Sequence, residues 1–281
     1  MKDHNPFSIL FLSLKDYFLS QEEFDLIQDE TTQVLKTVPQ PKDLNPYYES
    51  EDYLSHDDSQ TSFFARCYQF AKSWNLKSKK ALIGKYAVDG KILDIGAGVG
   101  DVVGVLKKAG YDAIGYEPSN KARSFAARKG IDLLDQTDTI QPHSIKVISM
   151  YHVLEHVPDY QKQIDQIENW LEDEGYLILA LPNYNSFDAK WFKKYWAGYD
   201  VPRHLFHFNK NAVLNIFQDK FYLKTTKPMW FDSFYVSILS ARYQKRKLAF
   251  IYGITIGLFS NIAALFTKEP SSLVYVLQKR K

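Results

Sequence analysis

The chain has 281 residues, of which 45% are hydrophobic and 24% charged, the composition of a folded globular protein. Lys and Arg number 35 against 33 Asp and Glu, and the net charge of +2 argues against a dedicated nucleic-acid binder. The single cysteine, Cys67, excludes an intramolecular disulfide framework and any cysteine-cluster zinc site.

Residues 1–60 show no clear periodicity, and four prolines interrupt them, so we expect an irregular N-terminal extension. The short apolar stretch at residues 7–14 lacks a cleavage site of small residues, so no secretory signal is predicted. We therefore expect a cytoplasmic protein. Residues 61–86, by contrast, place apolar side chains at helical spacing, which predicts a helix.

From residue 91 onward, short apolar runs alternate with amphipathic segments. This alternation predicts βαβ units and an α/β fold with a parallel sheet, whose ligands bind at the carboxyl ends of the strands. The helices are expected to begin after the capping residues Ser119, Asp159 and Asn209. The predicted strands are 91–95, 112–116, 131–134, 145–150, 176–181, 221–230 and 272–278.

A glycine-rich loop of G-x-G-x-G spacing follows the first strand of this series, at residues 94–100. Glycines let the backbone bend tightly and approach a ligand closely. A dinucleotide-binding loop would need its third glycine at Asp101, where an acid disfavours a pyrophosphate. Glu117 ends the second strand, where an acid can hydrogen-bond a ribose diol. Together the loop and the acid suggest a nucleoside cofactor without phosphates.

These features, with the segment 150–158, resemble the class I S-adenosylmethionine-dependent methyltransferases, and most of all the ubiquinone-biosynthesis-type small-molecule enzymes, over about residues 80–230. The resemblance implies a Rossmann-like fold with a seven-stranded, mostly parallel sheet and an antiparallel strand near one edge. It also implies S-adenosylmethionine as cofactor and S-adenosylhomocysteine as product. The cofactor-binding residues that it implies are Asp94, Gly96, Ala97, Gly98, Gly100, Glu117, Pro118, Tyr151, His152 and Val153.

Residues 152–156 match H-x-x-E-H, a zinc-binding pattern of metalloproteases. Zinc would need both histidines on one helical face, but the segment follows a strand and Pro158 comes two residues after His156. We therefore predict a turn and no metal site. Glu155 and His156 are expected to cap or pack, whereas His152 can touch substrate or cofactor.

The segment 183–212 mixes aromatic and ionisable side chains and is predicted to cover the substrate pocket. Residues 200–205 resemble a family segment on the substrate side. His204 and then His152 are the candidate general bases, because an imidazole titrates near neutral pH. Arg203 and Tyr199 are candidate substrate contacts, and an ion pair with Asp200 is the alternative role for Arg203.

The N-terminal extension resembles, faintly, a Cys-x-x-Cys ribbon that precedes the methyltransferase domain in some relatives. Asp29 and Thr32 stand at the cysteine positions, so a ribbon here would hold no metal. Residues 47–56 are a candidate flap over the cofactor, or an acidic surface loop. The methyltransferase domain itself is expected over residues 61–281.

A hydrophobic insertion at residues 231–270 separates the last two strands. Its segment 248–267 carries no formal charge and follows a basic run, as in a transmembrane helix. The resemblance makes the flanking strands neighbours in one sheet, which excludes a single crossing. The insertion is expected to be buried, to form a homodimer contact or to lie in the membrane interface, and burial or a dimer is favoured.

The sequence thus favours methyl transfer from S-adenosylmethionine to a small-molecule acceptor, with oxygen as the expected nucleophile and nitrogen or carbon left open. No nucleic-acid partner is expected. Two alternatives remain: a non-catalytic cofactor-binding or interaction protein on the same fold, and a nicotinamide-dependent oxidoreductase, against which the loop spacing counts.

Overall fold

The computed structural model describes the backbone at residues 7–48 and 63–281, and the side chains there except at 45, 48 and 63–72. Most of the candidate flap at 47–56 lies outside the described residues. Within this range the chain forms two sheets, a set of helices around the larger sheet, and an insertion of two helices near the C-terminus.

The larger sheet has six strands in the order β5-β4-β6-β7-β10-β9, and all are parallel except β10, which runs antiparallel to both of its neighbours. This arrangement confirms the mostly parallel sheet with an antiparallel strand near one edge. Its strands are β4 (Ile92–Ile95), β5 (Ala113–Tyr116), β6 (Ile145–Tyr151), β7 (Leu171–Pro182), β9 (Phe221–Pro228) and β10 (Ser272–Lys279).

The predicted strand at 131–134 is reduced to a one-residue bridge between Leu134 and Tyr116 beside β5. The reason is that the N–H of Ile131 still donates to the carbonyl of Ala126 and so closes the preceding helix. A strand cannot begin until the chain has left that helix. The described part of this sheet therefore has six strands rather than seven.

Helices cover both faces of the larger sheet. Ser119, Asp159 and Asn209 cap three of them through side-chain oxygens that accept backbone N–H groups, as predicted. Consecutive strand residues, such as Ile92 and Leu93, point to opposite faces of the sheet and belong to different hydrophobic clusters. The helices are α1 (Asn45–Tyr48), α2 (Phe63–Tyr86), α3 (Asp101–Lys108), α4 (Asn120–Arg128), α5 (Tyr160–Trp170), α6 (Phe187–Phe192) and α7 (Lys210–Phe217).

The expectation of an irregular N-terminus is wrong for residues 7–38, which form three antiparallel strands. Asp29 accepts the N–H groups of Thr31 and Thr32, so a carboxylate organises this turn. The apolar alternation is interrupted, for example by the apolar run at residues 9–12, so the period-2 signal was weak. The smaller sheet consists of β1 (Phe7–Lys15), β2 (Glu23–Asp29), β3 (Leu35–Val38) and β8 (Phe206–His207).

The segment 183–212 packs against this smaller sheet. Its aromatic side chains at Tyr184, Phe192 and Trp196 share a third hydrophobic cluster with Leu26 and Leu35. These three aromatic residues therefore pack in the core, which gives a structural reason for their presence in the segment.

Arg203 fastens the smaller sheet to this segment. Its Nε lies 3.0 Å from both carboxylate oxygens of Asp200, and its Nη2 donates to Oδ1 of Asp16 at 3.2 Å. Only 1% of Arg203 is exposed. The ion pair that was the alternative role for Arg203 is thus present, extended to a second carboxylate on the N-terminal sheet.

The insertion forms two helices, α8 (Asp232–Tyr243) and α9 (Ala249–Thr267). They lie between β9 and β10, which pair with each other, so a single membrane crossing is excluded as expected. The expectation that the insertion is buried is wrong for α9, which exposes most of its large apolar side chains. Within the described residues, α9 is the one helix long and apolar enough to cross a membrane.

We predict that Arg203→Met lowers the free energy of unfolding by about 3–5 kcal/mol, because it leaves two carboxylates near the core without their partner. Urea unfolding of the full chain measures this. The matched control is Lys15→Met, which breaks an exposed pair with Glu23 and should cost about 1 kcal/mol or less. Equal losses in the two variants would contradict the anchoring role.

Candidate functional site

The glycine loop joins β4 to α3, and all three of its glycines adopt the left-handed backbone conformation. A Cβ at Gly96 would lie 2.4 Å from the side chain of Val153, so only glycine lets the loop pass that residue. A Cβ at Gly98, by contrast, would meet no atom within 4 Å. The backbone at Gly98 therefore faces open space, where a ligand can approach it closely.

Asp94 lies at the carboxyl end of β4, where it is 4% exposed and accepts a hydrogen bond of 2.6 Å from the Ser149 hydroxyl. Burial raises the pKa of Asp94 to about 6, against the lowering effects of Ser149 and of the nearby Lys79 ammonium. Asp94 can thus carry its negative charge at neutral pH beside the loop.

Glu117 follows β5 and is tied to the loop. One of its carboxylate oxygens accepts the N–H of Gly98 at 2.8 Å, and the other accepts the N–H of Ser119 at 2.9 Å. Each oxygen keeps a further lone pair, so the carboxylate can still accept hydrogen bonds from a diol. Pro118 is exposed beside it, and its carbonyl accepts from Arg123.

Two adjoining cavities lie at the carboxyl ends of the strands, and we call them together the cleft. The first, of about 240 Å³, borders the glycine loop, and the second, of about 150 Å³, borders the end of β9 and the start of α8. They share Asn75, Lys79 and Tyr151. Residues of the first cavity include Asp94, Gly96, Ala97 and Val99, and those of the second include Trp74, Met229, Trp230, Phe231 and Asp232.

Lys79 stands where the two cavities join. Its Nζ lies 4.0 Å from the centre of the Tyr151 ring. Burial lowers the pKa of Lys79, while the negative charges of Asp94, Asp232 and Asp101 raise it. The ammonium is thus a partly desolvated cation facing the cleft, suited to an anionic group of a ligand.

His152 follows β6 in the left-handed conformation, with φ of 57°. Its Nδ1 lies 3.4 Å from Oε1 of Glu155, and its Nε2 lies 3.3 Å from Oδ2 of Asp232. Burial alone would lower the pKa of His152, but the two carboxylates outweigh it and raise the pKa to about 9. The ring is therefore an imidazolium at neutral pH, and Asp232 links it to the cleft.

His204, the first candidate base, lies elsewhere. It is 9% exposed, its Nδ1 lies 3.1 Å from the carbonyl oxygen of Gly198, and its ring packs edge-on against His156. Burial, together with the neighbouring His156, holds the pKa of His204 well below its usual value. Tyr199 and Arg203 are also buried. None of these three candidates is among the described residues that line the cleft. His152 does not line it either, but its partner Asp232 does, so we rank His152 ahead of His204.

The H-x-x-E-H segment forms one 3-10 turn at Leu154–His156 rather than a helix, so the turn prediction is confirmed. Ligand atoms of Glu155, His156 and His204 nevertheless lie within 4.8 Å of one another. The carboxylate of Glu155 faces the His152 imidazolium. Burial raises the pKa of Glu155, but the interactions with the neighbouring histidines outweigh burial, so the pKa is lowered overall. Because that cation already balances the Glu155 charge, the absence of a metal stays our prediction.

Sequence reasoning missed three residues that line the cleft, and it missed Ser149, which donates to Asp94 beside it. Asn75 and Lys79 come from α2, Ser149 from the middle of β6, and Asp232 from the first turn of α8. None of these positions carries a motif. Asp232 follows the aromatic residues Trp230 and Phe231 in the sequence. Only the path of the insertion brings Asp232 next to His152.

A family model described as a methyltransferase domain matches residues 68–220 of the chain. The ubiquinone biosynthesis O-methyltransferase of Yersinia enterocolitica is 29% identical over 35% of this chain and 45% of that relative. An uncharacterized methyltransferase of Oceanobacillus iheyensis is 31% identical over 36% of this chain and 50% of the relative. The match thus spans about half the length of these curated relatives.

Solved structures share the fold at low sequence identity. A SAM-dependent methyltransferase from Thermotoga maritima superposes with a TM-score of 0.52 at 15% identity, covering 78% of this chain and 96% of its own. A protein named as a sarcosine dimethylglycine methyltransferase, from Galdieria sulphuraria, gives 0.54 at 12% identity, covering 77% and 88%. At this identity the likeness concerns the fold alone.

We predict that His152 titrates with a pKa of about 9, and that Asp232→Asn lowers this pKa by about 1–3 units because it removes an adjacent negative charge. Imidazole resonances followed by NMR across pH measure it, with His152→Gln identifying the signal. Asp219→Asn, at an exposed position away from the cleft, should leave the value unchanged. If the pKa of His152 were near 6.5 and did not change in Asp232→Asn, the result would contradict the ion pair.

Proposed function

Because the chain belongs to the class I S-adenosylmethionine-dependent methyltransferases, we propose that it transfers the methyl group of S-adenosylmethionine to the oxygen of a small phenolic acceptor. The observation that carries this proposal is the cleft itself. One end of it is bordered by the glycine loop, and the other by aromatic side chains and by Asp232, the partner of His152.

The loop end fits the cofactor. The open backbone at Gly98 admits its methionine part, and the Lys79 ammonium suits the carboxylate of that part. Glu117 keeps lone pairs for the two ribose hydroxyls. When bound, the cofactor supplies a methyl group on a positively charged sulfur, which leaves as a neutral thioether. The residues of the protein hold the acceptor in line with that group and exclude water.

The other end of the cleft fits an aromatic acceptor. Trp74, Trp230 and Phe231 line it and are each between 40% and 55% exposed, so their ring surfaces are open to a ligand. Aromatic rings stack against one another in offset or edge-on geometries. A planar phenol therefore finds apolar surface on several sides of this cavity, with one polar edge at Asp232.

The pair of Asp232 and His152 accepts the proton that the acceptor hydroxyl loses. The hydroxyl meets the Asp232 carboxylate at the cavity wall, and the proton comes to rest on the neutral His152 ring. With a pKa of about 9, His152 is close to the pKa of about 10 of a phenol, so the transfer is nearly balanced. An aliphatic alcohol is too weak an acid for such a base. The Yersinia relative, named as an O-methyltransferase, also supports oxygen as the nucleophile.

We expect the purified chain to transfer a labelled methyl group from S-adenosylmethionine to phenols, and much less to anilines of the same shape. Because only the neutral His152 ring accepts a proton, kcat/KM should rise with pH and level off above an apparent pKa of about 9. His152→Gln should lower kcat/KM by about 100-fold and remove this rise.

His143→Gln, which alters an exposed histidine, is the matched control and should behave like the unaltered chain. Transfer to anilines in preference to phenols would overturn the oxygen assignment. An unaltered pH profile in His152→Gln would overturn the role of the ring as base.

A further inference from the structure

The packing of α9 is the reverse of that in a core helix. Its buried positions hold mainly small residues, and its large apolar side chains face outward. A surface helix of a soluble protein turns its large apolar side chains toward the core and presents polar ones to water. Leu248, just before α9, is also exposed. The exposed large apolar side chains within α9 are Phe250, Ile251, Ile254, Leu258, Phe259, Ile262, Leu265 and Phe266.

These side chains form one continuous surface. At 3.6 residues per turn they cover roughly half of the helix circumference along its whole length. No Asp, Glu, Lys or Arg interrupts residues 248–267, and the mean hydropathy of the helix reaches 1.8. A contiguous exposed surface of this kind marks an interaction site in a folded protein.

The buried side of α9 packs unusually closely on α8. A Cβ at Gly253 would lie 2.3 Å from Cα of Ile238, and one at Gly257 would lie 2.9 Å from Cα of Phe234. The two glycines are four residues apart, the G-x-x-x-G spacing through which helices approach each other in lipid. In that medium small residues face the neighbouring helix and large apolar residues face the acyl chains.

Between Asp232 and Glu269, which contact His152 and Asn183, the charges of the insertion have one sign. Residues 233–268 contain five basic residues and no acidic ones. Four of the five, Arg242, Lys245, Arg246 and Lys247, are exposed together at the turn from α8 to α9, and Lys268 is exposed at the other end. A second copy of the chain would bring only basic groups from this region, whereas an anionic lipid headgroup complements them.

We propose that α9 docks in the surface layer of an anionic lipid bilayer, with its large apolar side chains among the upper acyl chains and the basic turn among the headgroups. The helix lies along the interface and does not cross it, because β9 and β10 pair in one sheet. Asn261 of α9 donates to the carbonyl of Trp230, which lines the cleft, so docking brings the acceptor end of the cleft close to the bilayer.

Flotation of the full chain with vesicles tests this. The protein should float with vesicles of phosphatidylcholine mixed with phosphatidylglycerol, much less with phosphatidylcholine alone, and less at high salt. Phe259→Glu, which puts a charge in the apolar face, should abolish flotation. Arg246→Gln with Lys247→Gln should weaken partition about 30-fold. Phe125→Glu is the matched control, since Phe125 is an exposed phenylalanine outside the insertion.

A probe variant avoids any question of folding. The chain has five tryptophans of its own, so the emission of the unaltered chain is subtracted from that of Phe259→Trp. The difference spectrum should shift to the blue when anionic vesicles are added, and the shift should be absent with phosphatidylcholine alone. Failure of the unaltered chain to float with anionic vesicles would overturn the proposal. The proposal would also be overturned if the unaltered chain bound no vesicles but sedimented as a dimer, and if Phe259→Glu abolished that dimer.

Discussion

The antiparallel pairing of β10 between β7 and β9 is the constraint on which the rest of the structure depends. Since β9 ends and β10 begins at the same edge of the sheet, everything between them must leave and return at the edge where the glycine loop lies. This path places Asp232, at the start of the insertion, beside His152. It also keeps α9 on one side of any bilayer. One strand direction thus determines both the chemistry of the cleft and the position of the apolar helix.

Within this frame, environment rather than residue type decides which histidine can act. His204 is enclosed by a carbonyl and other rings, and burial leaves it neutral. About a third of the His152 side chain is exposed, and two carboxylates stabilise its charged form more than its partial burial destabilises it. The first histidine is therefore a packing element with one oriented hydrogen bond. The second is a titrating group whose partner, Asp232, lines the cleft.

Features that depend on local interactions could be predicted from the sequence alone. The glycine loop, the strand ends at Asp94 and Glu117, and the caps at Ser119, Asp159 and Asn209 follow from backbone conformation and from unpaired N–H groups, so short patterns predicted them. Features with tertiary causes were missed. Lys79 reaches the cleft only through the register of α2. The aromatic residues of 183–212 pack against the smaller sheet, whose strands lack a regular apolar alternation in the sequence.

The central claim is that the glycine loop, Glu117 and Lys79 bind S-adenosylmethionine, and calorimetric titration with S-adenosylhomocysteine, beside NAD, tests it most directly. We predict that the chain binds S-adenosylhomocysteine and does not bind NAD. Glu117→Ala and Lys79→Met should each weaken the affinity about tenfold or more, because each removes a hydrogen bond to a charged group. Lys85→Met, on the exposed side of the same helix, should bind normally. No binding of S-adenosylhomocysteine, or equal binding of NAD, would contradict the account.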